Sequence, residues 1–148
     1  MKRLLVLAAA AAALIASPAA ADVQMQPGLW RVEQKVTSVE MENAPPGMAD
    51  AARRSRVSQD CITPEEAAAG PSSMFKNDRQ CRLVRESSDG GRYEAVVVCN
   101  QDGGTSTVTL TGNFGATRFE LTAAMEITGR RPMKLTVVMT GERLGECR

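Results

Sequence analysis

The four cysteines, Cys61, Cys81, Cys99 and Cys147, are the residues of this chain best able to do covalent chemistry, and their spacing limits what that chemistry is. No C-x-x-C pair occurs among them, and the gaps are long and irregular. Such spacing suits neither a dithiol redox centre nor a zinc site. It suits structural disulfides. The chain has no histidine, so a Ser-His-Asp or Cys-His nucleophile cannot be assembled and imidazole-ligated zinc or copper is excluded. No cofactor and no metal site are expected.

The remaining reactive groups have simpler roles. Glu65 and Glu66 are neighbouring carboxylates after Thr63-Pro64. That order is a helix start, with Thr63 as cap, Pro64 at the first helical position and Glu66 closing a capping box. Adjacent helical residues point in different directions, so the pair is poorly placed to share one substrate. Arg53, Arg54 and Arg56 form a short basic cluster, read as a solvated turn or a contact for an anionic envelope surface. An enzyme here would have to work with carboxylates or Tyr93, and no catalytic residue is expected. The apolar side chains Leu121, Met125, Met133, Leu135 and Met139 are read as core, or as the wall of a flexible pocket for a hydrophobic ligand.

The elements that would position these residues begin after a leader. Lys2 and Arg3 precede an apolar run, Leu4 to Ile15, which is too short to span a bilayer, and Ala19-Ala20-Ala21 offers a small-residue cleavage site. Residues 1–21 are therefore read as a signal peptide and 22–148 as a single β-rich domain. The mature chain is expected in the periplasm, or secreted, where disulfides persist. Of 18 basic residues, the two in the leader are lost, leaving 16 against 17 acidic ones. Near neutrality argues against a general nucleic-acid binder, and no second apolar run is long enough to cross a membrane.

Within the domain, apolar and polar residues alternate with the period of a half-buried strand. Trp30, Val32 and Val36 share one face of a first strand after the Pro27-Gly28 turn. A turn or two of helix is expected over 49–54 and a short strand over 55–61. The capped helix follows and is stopped by Gly70-Pro71, with Met74 and Phe75 expected to tuck this excursion onto the core. From Gln80 onward, five strands alternate with short turns at Asp89-Gly90, Asp102-Gly103-Gly104, Gly115-Ala116 and 129–132. Tyr93, Ala95 and Val97 share an inner face, as do Val108, Leu110 and Phe114, and then Phe119, Leu121, Ala123, Met125 and Ile127. The fold expected is mainly β: an antiparallel up-and-down meander curled into a partial barrel, disulfide-stapled, with one short helix. The helix and the first strand are the natural covers of its apolar face.

The meander also bears on the cysteine pairing. A hairpin at Asp89-Gly90 sets opposite each other residues whose numbers sum to about 180. Cys81 and Cys99 then face one another, and Cys147 falls at the other edge of the sheet. Cys81–Cys99 with Cys61–Cys147 is favoured. Cys61–Cys81 with Cys99–Cys147 is the alternative.

Taken in order, Pro27-Gly28-Leu29-Trp30, Cys61-Ile62-Thr63-Pro64-Glu65, Cys81, Cys99 and the ending Thr140-Gly141-Glu142-Arg143-Leu144-Gly145-Glu146-Cys147 resemble the domain of unknown function family 3617, small exported bacterial proteins. The resemblance spans nearly the whole mature chain and implies a periplasmic domain of this size. It transfers no activity and no site residue. The function expected is that of a small non-catalytic binding module for a hydrophobic ligand or a partner segment. The alternative is a structural or stress-related envelope protein acting through its surface.

Overall fold

The computed structural model describes residues 23–73, 79–101 and 103–148. The expected leader, Met74, Phe75 and the turn residue Asp102 lie outside the described residues. The elements run β1 (Gly28–Met41), α1 (Met48–Ala52), β2 (Arg56–Ile62), α2 (Pro64–Ala69) with a single 3-10 turn at Gly70–Ser72, then β3 (Cys81–Asp89), β4 (Arg92–Gln101), β5 (Gly104–Phe114), β6 (Arg118–Gly129) and β7 (Met133–Gly145). All seven strands join one sheet in the order β2-β1-β7-β6-β5-β4-β3, and every neighbouring pair is antiparallel. The sheet does not close, so β2 and β3 are its edges.

The five-strand meander is present as expected. The first strand is not a cover, however. β1 lies in the sheet between β7 and β2, paired with β7 along nearly its whole length. The physical reason is the backbone: β7 at the end of a five-strand meander would leave a long row of unpaired N–H and C=O groups, and β1 satisfies them. Its alternation still holds, because Trp30 and Val32 face the same side as the inner residues of β6 and β7. Among the described residues, the helical excursion and Met25, from the segment before β1, cover that side. There Ala67, Pro71 and Ser72 are buried, and Ala67 joins the core cluster.

The β3–β4 hairpin shows how register is set. Its turn residues are Gly90 and Gly91, at φ 56° and 83°, the two positive values that a two-residue type I′ turn requires. Asp89 pairs with Arg92, which alone would set Cys99 opposite Arg82. A bulge between Leu83 and Arg85 takes up one residue, so Cys81 lies opposite Cys99. The turn thus sits one residue later than expected, while the cysteine pairing stands.

Both disulfides form, Cys81–Cys99 between adjacent strands and Cys61–Cys147 between the end of β2 and the chain terminus. The bonds close loops of very different size, with sequence separations of 18 and 86.

The core lies on the inner face and is centred on β4 and β5. Trp30, Tyr93, Leu110, Leu121 and Val97 are its largest fully buried side chains. Four aromatics pack in two pairs: Trp30 stacks on Phe119 with ring centroids 5.8 Å apart, and Tyr93 meets Phe114 edge-on at 6.0 Å. Burial falls off toward the far ends of β6, β7 and β1. There Met125, Ile127, Met133, Leu135 and Val39 are only half-buried.

Candidate functional site

The three sequence motifs converge on one corner of the sheet, and the contacts there are structural. Gly28 has φ 139°, and a Cβ on it would lie 2.2 Å from the Gly145 carbonyl oxygen and 2.8 Å from Arg143 Nε. Only glycine fits beneath that guanidinium. Arg143 Nε donates to the Pro27 carbonyl at 2.8 Å, and its Nη2 pairs with Glu146. Trp30, opposite Arg143 in register, donates from Nε1 to the Gln26 carbonyl at 3.0 Å. Gln26 N–H in turn reaches the Ala116 carbonyl at 2.9 Å, anchoring the segment before β1 to the β5–β6 turn.

Gly141 faces Phe119 in register. A Cβ at Gly141 would sit 2.0 Å from Phe119 Cε1, so the missing side chain makes room for the ring that stacks on Trp30. Leu29 pairs with Cys61 on one side and Gly145 on the other, and the Cys61–Cys147 bond closes the corner. P-G-x-W, C-x-T-P-E and G-x-R-x-G-x-C therefore form a clasp that joins β1, β2 and the end of β7. Arg143 and Trp30 make their hydrogen bonds within that clasp.

Beside the clasp, α2 and its 3-10 turn leave a cleft of about 210 Å³ against the sheet. Met25, Val32, Ile62, Pro71, Phe119 and Leu121 supply its apolar walls. Its polar lining comes from Gln34, Asp60, Glu66 and Ser73. Glu66 is positioned by the capping box, accepting from Thr63 N–H at 2.9 Å while Thr63 Oγ1 accepts from Glu66 N–H at 3.2 Å. Asp60 faces inward opposite Trp30 and accepts from Ser58 Oγ at 2.7 Å. Among the described residues no arginine or lysine pairs with either carboxylate.

A scan against protein-family models matches residues 25–147 to the family described as "Protein of unknown function (DUF3617)". The chain belongs to the DUF3617 family. No curated protein and no solved structure matches it.

In this DUF3617 domain the residues singled out in the sequence do not gather in one place. Leu121 lines the cleft. Its register partner Met139 is buried in the core beside it. Met125 and Leu135 pair with each other in a half-buried row outside the cleft. Met133 lines a separate, open depression at the far end of the sheet with Val39, Met41 and Ile127. Glu66 belongs to the cleft, and Glu65 is exposed on the first turn of α2. Arg53 is held by Asp50 at 3.4 Å, while Arg54 and Arg56 are exposed.

Tyr93 is 1% exposed, and its hydroxyl donates to Glu86 Oε1 at 2.9 Å. Burial, and then the Glu86 carboxylate, push its pKa well above the ordinary tyrosine range, with Ser72 opposing. Its hydroxyl ties the edge strand β3 to the core. No group of three or more acidic or cysteine side chains able to hold a metal occurs among the described residues. No helix among them is long and apolar enough to cross a membrane.

Sequence reasoning did not single out Met25, Gln34, Asp60 or Ser73, and it read Pro71 only as part of a helix stop. One signal was available. Gln34 interrupts the apolar face of β1 between Val32 and Val36, and a polar residue in an apolar phase marks a site where that face is not simply packed.

Proposed function

We propose that this DUF3617 domain is an exported, non-catalytic binding module of the periplasm that takes a small apolar ligand, or one apolar side chain of a partner, in the cleft between α2 and the sheet. The observation that carries the reading is the cleft itself: about 210 Å³ with mainly apolar walls, beside a core whose neighbouring side chains are fully buried. That volume equals roughly seven waters at their liquid share, small for a cofactor and suited to a ligand of modest size. Two disulfides fit an oxidising compartment. The non-catalytic part of the reading is supported by the use of Tyr93 in the core and of Glu66 in a capping box.

The test is native mass spectrometry of the protein purified from the exporting cell's periplasm, before and after denaturation. The expected result is a chain beginning at Asp22, lighter by four hydrogens for its two disulfides, with a retained mass that denaturation releases. A bare chain that also fails to bind any small apolar probe would remove the reading.

A second reading, action through the surface on an anionic envelope component, is favoured by the β3 edge. Arg82 and Arg85 flank Leu83 and Val84, which are 40% and 57% exposed, and neither arginine has an ion-pair partner among the described residues. Binding to vesicles of anionic phospholipid that is lost on Arg82→Glu with Arg85→Glu would establish it. Absence of binding, or binding that survives the reversal, would dismiss that edge.

A further inference from the structure

We infer that the cleft selects ligands carrying a positive charge on an apolar body, with Asp60 and Glu66 as the groups that read the charge. The inference rests on the binding reading above and names its ligand class.

The charge of the lining is one-sided. Among the described residues that line it, the ionisable side chains are these two carboxylates, and none is basic. The nearest cation on the inner side of β2 is Arg56, paired with Gln34 in register, and it does not line the cleft. Both carboxylates keep acceptor capacity. Glu66 accepts through Oε2 and Asp60 through Oδ2, which leaves the second oxygen of each without a partner among the described residues. An ionised carboxylate accepts through both oxygens. Glu66 is positioned by the capping box, and Asp60, exposed at the cleft rim, is bonded to Ser58.

The apolar walls supply the rest of the recognition. Phe119 and Leu121 come from β6, Val32 from β1 and Pro71 from the 3-10 turn. A ligand with an aryl or short alkyl body and an ammonium end satisfies both parts of the lining. An anionic ligand of the same body would set like charges against two carboxylates.

The chain has a single tryptophan, and Trp30 stacks on Phe119 in the cleft wall, so its fluorescence reports on occupancy. The experiment titrates the full mature protein with phenylbutylammonium, phenylbutanol and phenylbutyrate, which share one apolar body. Backbone amide shifts map the contact. The cation is expected to bind about fivefold more tightly than the alcohol, the range of a partly exposed ion pair, and the carboxylate more weakly than either. Asp60→Asn with Glu66→Gln is expected to erase the preference, so that cation and alcohol bind alike. Glutamine still completes the capping box, so this variant keeps its fold, which circular dichroism and the intact disulfide mass verify. Equal binding of all three probes would overturn the charge assignment and leave the cleft reading standing. A preference that survives the double substitution would overturn it as well. No binding by any probe would overturn both.

Discussion

Val97 and Leu135 stand in the same row of the sheet, which runs Val97, Val108, Met125, Leu135, Val39 across β4, β5, β6, β7 and β1. All five are apolar and all point to the inner side, yet the row is not evenly covered. Val97 and Val108 are 0% and 3% exposed, whereas Met125, Leu135 and Val39 are half-buried. Alternation decides which side of a strand a residue takes; it does not decide whether that side has a roof. The β4–β5 side holds the fully buried core, and the far ends of β6, β7 and β1 do not.

The disulfides follow the same division. Cys81–Cys99 fastens the β3–β4 edge, beside the dense core, and Cys61–Cys147 fastens the opposite edge through β2. The largest expected effect separates these two bonds. Replacing Cys61 and Cys147 by alanine should destabilise the fold by about 4–5 kcal/mol, against about 3 kcal/mol for Cys81 and Cys99, because the longer loop releases more chain entropy. Urea unfolding of the two double variants measures the gap. A costlier loss at Cys81–Cys99 would show that the edge beside the dense core depends more on its staple.

Core truncation tests the comparison directly. Leu110→Ala, at a side chain 0% exposed, should cost about 3–5 kcal/mol in transfer and cavity terms. Leu135→Ala should cost about 1–2 kcal/mol, since it removes a half-buried side chain and leaves no closed cavity. Equal losses would mean that the far end is covered in solution as fully as β4–β5.

The clasp gives a sharper local test. Gly141→Ala sets a methyl group into the Phe119 ring that Trp30 stacks on and should cost about 1–3 kcal/mol through overpacking. Gly115→Ala is the control: its nearest neighbour would be the Arg118 carbonyl oxygen at 3.6 Å, and its effect should fall within about 0.5 kcal/mol. A Trp30 emission shift should accompany the first change and be absent from the second.

The smallest effect concerns Tyr93. Tyr93→Phe removes the hydrogen bond to Glu86 and should cost about 1 kcal/mol at neutral pH. Its pH dependence has a definite sign. The pKa is raised in the folded state, so the unfolded chain releases the phenolic proton first. This stabilisation is complete below about pH 10, the ordinary tyrosine value, and fades as pH rises above it. The gap in unfolding free energy between wild type and the variant should therefore be full at pH 8 and shrink as pH rises above about 10. A gap that persists would show that Tyr93 ionises as freely in the fold as outside it.

Much of this molecule was legible in its residues. Period-2 alternation marked the inner faces of β4 to β7, glycine-rich turns set their succession, Thr63-Pro64-Glu65-Glu66 announced α2 with its capping box, and the hairpin count brought Cys81 within one residue of Cys99, a bulge at Leu83–Arg85 making up the difference. These signals are local: each rests on residues within a strand, a turn or a hairpin. The cleft was hidden because its walls come from the segment before β1, from β1, β2, α2 and its 3-10 turn, and from β6, and no local pattern links those segments.

What the sequence determined by itself was the inner face of β4 to β7, the succession of turns, the helix start and the chemistry excluded by the absence of histidine. The tertiary structure decided three things. It set β1 into the sheet rather than over it, because β7 offered an unpaired backbone edge. It drew Pro27-Gly28-Leu29-Trp30 and the terminal Gly-x-Arg-x-Gly-x-Cys into one clasp, because Arg143 needed a carbonyl partner and Phe119 a space without a side chain. It brought Asp60 and Glu66 to the lining of one cleft, because the capped helix after β2 folds back over the inner face.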